Sequence, residues 1–398
     1  MTVTRHFILA AGGTGGHMIP AYALAGELMA RGHHVALVTD GRGATIPGAP
    51  EGMQTHILPA GRMSGGPVGW ARAGLAIWRG RAMARELFMA FEPAAVIGFG
   101  GYPALPTLLA ARSAKLPCLI HEQNAVLGRV NRLLARGVDA IATAYRDVAR
   151  MPASAASRVH LIGNPVREEV RVLRTEGFPP LGEDGIFRLL VTGGSQGASI
   201  LGEVVPDALT LMPLSFRQRL QVTQQCRAED IERVRATYAT HGIPANLMTY
   251  IDDMPEKLRW AHLVIARAGA STIAELTCAG RPAIFVPLPI ATDDHQTHNV
   301  REMVAVGGAR SIPQPKFTPV ELAKQMQKLA LEPGALENAA TRALGVGRPN
   351  ATSDLADLVE QSGGAPLMDV IRVGGGATNA RRSGAAAGVT GMFGGDTK

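Results

Sequence analysis

Two glycine clusters, each placed directly after a short apolar run, constrain the fold of this chain more than any other feature. Residues 12–17 (GGTGGH) follow the apolar run 7–11, and residues 193–198 (GGSQGA) follow the run 189–192. Each pattern predicts a strand, a glycine turn and a helix, which direct backbone N–H groups and the positive helix end toward an anion. Two such turns predict two similar domains that face a phosphorylated ligand.

Apolar runs alternate with helix-like segments along both halves of the chain. Uninterrupted apolar runs of this length are typical of strands buried on both faces of a parallel sheet, and their alternation with helices indicates doubly wound α/β domains. The sequence therefore predicts an α/β fold of two Rossmann-like domains, each with a doubly wound parallel sheet, facing a cleft. Strands are predicted at 7–11, 35–39, 95–99, 118–121, 140–143, 159–162, 187–192, 220–224, 247–251, 263–266, 283–287 and 309–312.

The length of 398 residues exceeds one ordinary hydrophobic core, so two domains are expected. Glycine and proline at 163–165 end the sixth predicted strand and mark the boundary. We predict a first domain at 1–164, a second at 165–344, a terminal helical segment at 345–362 and a tail at 363–398. The tail is rich in glycine, alanine, serine and arginine without periodicity, which predicts disorder.

Composition narrows the possible functions. The formal charge of +7 favours acidic partners such as phosphates or an anionic membrane surface. Aromatic residues make up only 5% and no basic run is interleaved with them, so no nucleic-acid partner is expected. The three cysteines have no paired spacing, which argues against a zinc or disulfide framework. No stretch of the ~20 residues that a membrane span needs is continuously apolar, and the first apolar run is too short for a signal peptide, so we expect a cytosolic protein that can touch a membrane.

The first glycine cluster departs from two common nucleotide motifs. A dinucleotide fingerprint would need glycine at Met18, although Asp40 lies where a ribose-binding acid is expected. Neither cluster continues into the Gly-Lys-Ser/Thr of a phosphate-binding loop. His17 is predicted at the start of a helix, where the positive end lowers the pKa of an imidazole and leaves a neutral general base. The alternative, that His17 only caps the turn, stays open on the residues alone.

Two segments of the second half carry polar chemistry at predicted strand ends. In residues 267–275 a small-residue turn starts a helix whose N–H groups can hold a diphosphate, with Glu275 near ribose hydroxyls. The alternative is that Glu275 only complements the helix dipole. Residues 293–299 hold two acids and two histidines but no Asp-x-Asp, so we predict no bound metal. Gln296 is the predicted sugar partner, because an amide both donates and accepts.

Residues 60–91 combine arginine with large apolar side chains. On a helical wheel Trp70, Ile77, Trp78 and Phe88 share one side. Aromatic side chains mixed with arginine are typical of a helix at a membrane interface, but a core-packing helix explains the pattern equally well. The predicted membrane contacts are Trp70, Leu75, Ile77, Trp78, Arg79 and Arg81.

Together, the motifs resemble the MurG family of N-acetylglucosaminyltransferases. The resemblance implies the GT-B architecture, with the active site between two Rossmann-like domains. It implies UDP-N-acetylglucosamine as donor, no cofactor, and lipid I (undecaprenyl-diphosphate-MurNAc-pentapeptide) as acceptor, on the cytoplasmic face of the inner membrane. The product would be lipid II, formed by inverting transfer to the MurNAc C4 hydroxyl. The resemblance covers about residues 5–361 and rests on residues 12–17, 99–102, 121–124, with 128 and 131, 163–167, 193–198, 251–254, 267–275 and 294–296.

The resemblance also implies roles for single residues. His17 is the expected catalytic base, and Glu122 is the alternative base or a residue that orients the acceptor. The uracil would be read by the backbone at Ile251, the ribose by Glu275, and the sugar by Asn124 and Gln296. Arg167 and Ser195 suit the diphosphate by charge and by hydroxyl donation. The full set of implied donor contacts is Thr14, Gly15, Gly16, Asn124, Arg167, Ser195, Ile251, Ala270, Ser271, Thr272, Ile273, Ala274, Glu275 and Gln296. Two alternatives remain: another UDP-sugar enzyme of this architecture, such as an epimerase or a lipid glycosyltransferase, or a UDP-sugar-binding scaffold without turnover.

Overall fold

The computed structural model describes residues 3–59, 66–181, 185–194 and 197–364, and the predicted tail lies outside them from residue 365 onward. The described chain forms two parallel-sheet α/β lobes. The first lobe contains β1 (His6–Ala11), α1 (Gly15–Ala30), β2 (His34–Thr39), β3 (Gln54–Ile57), α2 (Gly66–Phe91), β4 (Ala95–Gly100), α3 (Ala104–Ser113), β5 (Cys118–Glu122), α4 (Arg129–Leu134), β6 (Ala140–Thr143) and β7 (Val159–Leu161).

The second lobe follows after residue 163. It contains α5 (Glu168–Glu176), β8 (Phe187–Thr192), α6 (Ser199–Thr210), α7 (Leu214–Arg217), β9 (Leu220–Gln225), α8 (Ile231–Thr240), β10 (Ala245–Met248), α9 (Met254–Trp260), β11 (Leu263–Ala266), α10 (Ala270–Ala279), β12 (Ala283–Phe285), α11 (His295–Asn299), α12 (Arg301–Ala305), β13 (Ala309–Ser311), α13 (Pro319–Ala330) and α14 (Ala335–Val346). The last described helix is α15 (Ala351–Ser362).

Both sheets are doubly wound, as the sequence predicts. The first has the strand order β3-β2-β1-β4-β5-β6-β7, and the second has the order β10-β9-β8-β11-β12-β13. The order reverses between β1 and β4 and again between β8 and β11, and crevices for ligands open at such reversals. The two glycine clusters follow β1 and β8, so each lies at a reversal point.

The central strands are buried on both faces, which explains their continuous apolar runs. In β1, Ile8 and Ala10 belong to one hydrophobic cluster, whereas Phe7 and Leu9 belong to the cluster on the opposite face. Two further clusters cover the two faces of the second sheet in the same way.

The predictions fail at two edge strands. β3 has the polar sequence Gln-Thr-His-Ile and was not predicted, and β10 begins and ends earlier than the predicted 247–251. Both strands pair on one side only, so their sequences lack the apolar run that marks a central strand.

The predicted grouping of side chains on α2 is wrong. Ile77 packs against the first-lobe core and Phe88 is buried, whereas Trp70 and Trp78 are 66% and 68% exposed. The buried face of α2 is set by its packing on α3: a Cβ on Gly80 would lie 3.2 Å from the Pro106 side chain. Among the described helices, none is both long enough and apolar enough to cross a membrane.

The last described helix returns to the first lobe. Leu355 and Val359 of α15 are buried in the same cluster as Phe7. Arg31 at the end of α1 pairs with Asp357 and Glu360 at 2.6 and 2.9 Å. The chain therefore crosses between the lobes twice, near residue 163 and before α15.

Candidate active site

The first glycine turn lies against the end of the neighbouring strand. A Cβ on Gly12 would lie 2.7 Å from the Gly101 Cα atom, so two backbones meet where no side chain fits. Directly after this turn α1 begins, which places Thr14, Gly15 and Gly16 at a helix N-terminus beside the cleft. The predicted succession of strand, glycine turn and helix is present.

Asp40 has a local role rather than the ribose contact of a dinucleotide enzyme. Its Oδ1 atom accepts a hydrogen bond of 2.8 Å from the Gly43 backbone N–H. The same oxygen would lie 2.6 Å from a Cβ on Gly13, so the carboxylate closes the turn after β2 and packs against the glycine turn.

His17 lies half-buried in the first turn of α1, and its Nδ1 atom is 3.0 Å from Oε1 of Gln123. Burial is the main cause that lowers the pKa of His17, and the nearby His295 acts in the same direction. The hydrogen bond to Gln123 and the charge of Glu122 oppose this shift. The direction matches the sequence-based expectation, but burial, rather than the helix end, is the main cause. The imidazole is therefore neutral at neutral pH.

Glu122 is almost fully buried at the end of β5, and its own loop occupies its carboxylate. Its Oε1 atom accepts from the backbone and the side-chain amide of Asn124, at 3.0 and 3.3 Å. Its Oε2 atom accepts from the Gly128 N–H and the Asn131 amide, at 2.8 and 3.0 Å. Four donors match the roughly four lone-pair sites of a carboxylate. This arrangement suits a residue that shapes the loop better than one that receives a proton.

Two predicted donor ligands of the second lobe contact each other. The Arg167 guanidinium donates to Oε1 of Glu275 through Nη2 at 2.8 Å and through Nε at 3.2 Å. Glu275 is buried, and this burial raises its pKa, whereas Arg167 opposes the shift. Both bonds end on the same oxygen, so Oε2 of Glu275 is oriented but not used by Arg167.

The start of α10 presents backbone rather than bulky side chains. Ala270 and Ile273 are buried, and Ile273 packs into the second-lobe core. The Ser271 hydroxyl is buried and has no hydrogen-bond partner among the described residues. The remaining predicted contacts, Thr272 and Ala274, lie in the same first turns of the helix.

Gln296 ties together two backbone segments next to α10. Its Oε1 atom accepts from the Ala268 N–H at 3.1 Å and the Leu288 N–H at 3.0 Å. Its amide nitrogen donates to none of the described residues, so it can serve a ligand hydroxyl as a donor. The sequence predicts that Gln296 both donates to and accepts from a sugar. Because Oε1 already accepts two backbone N–H groups, only donation by the amide nitrogen remains.

Asn299 joins the lobes and was not predicted as a site residue. This fully buried side chain accepts from the Ala125 N–H at 2.8 Å and donates to Asn124 Oδ1 at 3.1 Å. It also donates to the Ala268 carbonyl at 3.2 Å. The first-lobe loop that carries Asn124 and Ala125 is therefore hydrogen-bonded to Asn299 of the second lobe.

Asp293 forms a second link between the lobes. Its carboxylate pairs with Arg132 at 2.7 Å and with Arg150 at 2.6 Å, both from the first lobe. The residue has a φ of +57°, a left-handed conformation that is uncommon for a non-glycine residue. Among the residues that the structure describes, no three His, Cys, Asp or Glu side chains converge as metal ligands would.

The second glycine turn is held by a neighbouring strand. Gln225 at the end of β9 accepts from the Thr192 hydroxyl at 3.0 Å and the Gly193 N–H at 3.1 Å. It was not predicted, because its role depends on strand pairing. Ile251 is buried just before α9, and Ser195 lies outside the described residues.

Comparisons with known proteins identify the family. Residues 7–143 match the glycosyltransferase family 28 N-terminal domain, and residues 188–361 match the family 28 C-terminal domain. The chain is 64% identical to a transferase of Sphingopyxis alaskensis, over 94% of this chain and 95% of the relative. The chain belongs to glycosyltransferase family 28. The resemblance inferred from the motifs is therefore confirmed, and the chain is a glycosyltransferase.

A second relative carries the same name. A transferase of Novosphingobium aromaticivorans is 65% identical, over 94% of this chain and 96% of the relative. Both are named UDP-N-acetylglucosamine--N-acetylmuramyl-(pentapeptide) pyrophosphoryl-undecaprenol N-acetylglucosamine transferase.

Solved structures confirm the GT-B fold. The Acinetobacter baumannii MurG structure superimposes with a TM-score of 0.71 at 31% identity, covering 90% of this chain and 99% of that one. A Neisseria meningitidis UDP-GlcNAc 2-epimerase superimposes with a TM-score of 0.63 at 13% identity, over 89% of this chain and all of the other, which shows the shared fold alone.

Proposed function

We propose that this enzyme transfers N-acetylglucosamine from UDP-N-acetylglucosamine to the MurNAc C4 hydroxyl of lipid I, forming lipid II for peptidoglycan. The observation that carries the proposal is full-length identity of 64% and 65% to relatives whose names state this donor and this acceptor. The geometry supports it, because two doubly wound lobes bring a neutral histidine and a set of anion-binding groups to facing strand ends.

The donor binds mainly to the second lobe. The N–H groups at the start of α10 and the Arg167 guanidinium hold the diphosphate, since a helix N-terminus and a charged fork both favour phosphate oxygens. The ribose hydroxyls donate to the oriented Oε2 of Glu275. The sugar contacts the Gln296 amide nitrogen and the Asn124 side chain, and Ile251 presents backbone to the uracil. Ser195 is retained as a diphosphate contact on the strength of the sequence resemblance.

His17 is the general base. The acceptor C4 oxygen attacks the donor anomeric carbon while its proton passes to Nε2 of His17, the ring nitrogen that does not face Gln123. The bond between the anomeric carbon and the diphosphate oxygen breaks, and its electron pair leaves with UDP. Arg167 and the helix N-termini stabilise the negative charge that develops on the leaving group. No step requires a metal.

Glu122 positions the loop that follows β5 rather than exchanging a proton. Its carboxylate holds Asn124 from two directions, and Asn124 in turn contacts Asn299 of the second lobe. We assign acceptor and membrane binding to residues 1–164 and donor binding to residues 165–344. Helix α15, within the predicted terminal segment 345–362, contributes to the first-lobe core.

The exposed side of α2 is proposed to contact the anionic cytoplasmic face of the inner membrane. Trp70, Leu75 and Trp78 are exposed, and Arg79 adds positive charge on this helix. Ile77 and Arg81 are half-buried and contribute less than predicted. Exposed aromatic and basic side chains on one helix bind reversibly to anionic interfaces.

The proposed reaction is tested by measuring UDP release from UDP-N-acetylglucosamine with and without lipid I. We expect release that depends on lipid I, together with a disaccharide-lipid product detected by mass spectrometry. An epimerase would convert the donor without lipid I, and a scaffold would bind it without release, so either result would refute the proposal.

Membrane contact is tested with vesicles of phosphatidylglycerol and phosphatidylcholine at low and high salt. The double variant Trp70→Ser/Trp78→Ser should bind at least several-fold more weakly than wild type at low salt. Val320→Ser removes a 70% exposed apolar side chain on α13 and is the matched control. Equal binding of the double variant and wild type would contradict the assignment to α2.

A further inference from the structure

A chain of hydrogen bonds links His17 to the segment that connects the lobes. His17 Nδ1 lies 3.0 Å from Gln123 Oε1. Gln123 Nε2 lies 3.0 Å from His121 Nδ1, and His121 Nε2 lies 2.8 Å from the Gly163 carbonyl oxygen. His121 and Gln123 are almost fully buried, so water does not substitute for these partners.

The direction of every bond in this chain follows from its last member. A carbonyl oxygen only accepts, so His121 must carry its proton on Nε2. The Nδ1 atom of a neutral His121 is then an acceptor, and Gln123 must donate to it. Burial keeps His121 neutral, because it lowers the pKa of this histidine to about 4.

A second contact orients the Gln123 amide independently. Its Nε2 atom also donates to the His121 carbonyl oxygen at 3.1 Å. The nitrogen end of the amide therefore lies between two acceptors, and the oxygen end must face His17. An amide oxygen only accepts, so the proton of a neutral His17 lies on Nδ1.

We propose that Gln123 and His121 are positioning residues that hold His17 in its Nδ1–H tautomer, so that the Nε2 lone pair faces the acceptor hydroxyl. The tautomer follows from the contacts alone, and its consequence for catalysis rests on the proposed function. When Nε2 takes the hydroxyl proton, the resulting imidazolium keeps its Nδ1–H bond to Gln123 Oε1. The histidine then returns the Nε2 proton to water.

The local sequence provides this arrangement in two places. His121 and Gln123 are two residues apart at the end of β5, and residues at this spacing project to the same side of an extended chain. Gly163 has a φ of +107°, and a Cβ there would lie 2.8 Å from the Arg348 side chain. Only glycine allows the chain to turn here and direct its carbonyl at His121.

The first test reads the tautomer directly in the free wild-type protein. Two-bond ¹H–¹⁵N correlation spectra of ¹⁵N-histidine-labelled protein distinguish a protonated from an unprotonated ring nitrogen, and His17→Ala assigns the signal. We expect Nδ1 protonated and Nε2 unprotonated at pH 8. The opposite tautomer would overturn the proposal whatever the enzyme catalyses.

The second test replaces Gln123 by methionine, which keeps the volume but removes the amide. We expect the His17 signals to shift toward the other tautomer, and kcat to fall about 10²-fold, the lower end for loss of a general base. The KM for UDP-N-acetylglucosamine should change less than about threefold. The matched control is Gln224→Met, which removes a fully buried glutamine bonded to Tyr238 in the second lobe.

The pH dependence of kcat distinguishes a role of Gln123 in positioning His17 from a role in stability alone. The Gln123 hydrogen bond raises the pKa of His17, so Gln123→Met should move the acid limb of kcat to lower pH. Gln123→Glu adds charge at Nδ1–H and should move this limb to higher pH. Glu122 and His295 also act on His17 and are unchanged in both variants.

The outcomes distinguish this proposal from the proposed function. Loss of turnover in Gln123→Met with an unchanged tautomer and an unmoved pH profile would overturn the positioning role. An Nδ1–H tautomer without lipid I-dependent UDP release would leave the hydrogen-bond chain intact and refute the proposed reaction with lipid I instead. Thermal unfolding of Gln123→Met and of the control Gln224→Met shows whether a loss of turnover reflects lower stability alone.

Discussion

The two sides of the cleft differ in how far the hydrogen-bonding capacity of their polar side chains is already used within the protein. On the first-lobe side, Glu122 and Gln123 are buried and bonded to their own lobe; Gln123 lies at hydrogen-bond distance from His17, and the charge of Glu122 acts on the same imidazole. On the second-lobe side, the Glu275 carboxylate and the buried Ser271 hydroxyl have hydrogen-bonding capacity that described residues do not fill. Under the proposed function, the first side holds a proton in one place and the second side binds a charged ligand. Substitutions on the first-lobe side should therefore lower turnover with donor binding kept, whereas substitutions on the second-lobe side should weaken donor binding.

His17→Ala should cause the largest effect, because it removes the base without touching the donor side. We expect kcat to fall about 10²- to 10⁴-fold, the usual contribution of general acid–base catalysis. The Kd for UDP-N-acetylglucosamine, measured by calorimetry, should stay within about threefold. His241→Ala, at an exposed histidine, is the control. Near-normal turnover in His17→Ala would show that His17 is not the base, and the first-lobe side would then have no separate role in proton transfer.

Arg167→Ala should weaken donor binding, which His17→Ala leaves intact, and should also lower kcat, because Arg167 is proposed to contact both the bound diphosphate and the leaving group. Losing a charged hydrogen-bond donor costs about 1.5–3 kcal/mol, so donor affinity should weaken about ten- to a hundredfold. The exposed Arg171, which pairs with Glu168 on α5, provides the control Arg171→Ala. If Arg167→Ala lowered kcat while leaving the donor Kd unchanged, the second lobe would not be the principal binding side.

Glu122→Gln tests whether this residue belongs to the structure of the loop or to proton transfer. One carboxylate oxygen becomes an NH₂ group that faces N–H donors, so the free energy of unfolding should fall by about 1–3 kcal/mol. Denaturant unfolding measures this loss, with exposed Glu51→Gln as the control. Unchanged stability together with lost turnover would instead make Glu122 the base.

Asp293→Asn should have the smallest effect, on the contact between the two sides. The side chain is partly exposed, so its pairs with Arg132 and Arg150 contribute less than about 1 kcal/mol. The hydrogen bond to Arg132 is the main cause that lowers the pKa of Asp293. Its contribution should therefore be complete at pH 7 and be lost as the pH falls below about 4, through the lowered pKa of the folded state.

Unfolding of wild type and Asp293→Asn at pH 7 and at pH 3 measures this contribution, with exposed Asp252→Asn as the control. The difference between the two proteins should shrink at the lower pH. If the difference in the free energy of unfolding grew at pH 3, the charged carboxylate of Asp293 would not stabilise the contact with Arg132 and Arg150.

Much of the site could be predicted because functional residues follow strand ends. The glycine turns, His17, Glu122 and the start of α10 all come directly after apolar runs, and parallel strands bring their carboxyl ends to one edge. Gln123, Gln225 and Asn299 were not assigned roles. Their partners are distant along the chain, as in the contact of Asn299 with Asn124 across 175 residues.

Helical periodicity did not identify the buried face of α2. The helical wheel drawn over residues 60–91 assumes a helix there, and α2 occupies Gly66–Phe91 of this segment, but which side faces the core depends on where α3 lies. A wheel drawn with ideal spacing puts Trp70 and Phe88 together, yet the body of the helix packs on α3 and leaves Trp70 exposed.

The order of residues along the chain was enough to determine the doubly wound sheets and the glycine turn that follows β1, because burial on both faces and glycine conformations are reflected in the local sequence. Only the tertiary structure decided which polar groups meet. Arg167 with Glu275, Asp293 with two arginines, and His17 with Gln123 and His121 are pairings between distant segments. Such contacts are set by how sheets and lobes pack, and they determine which ring nitrogen can take a proton.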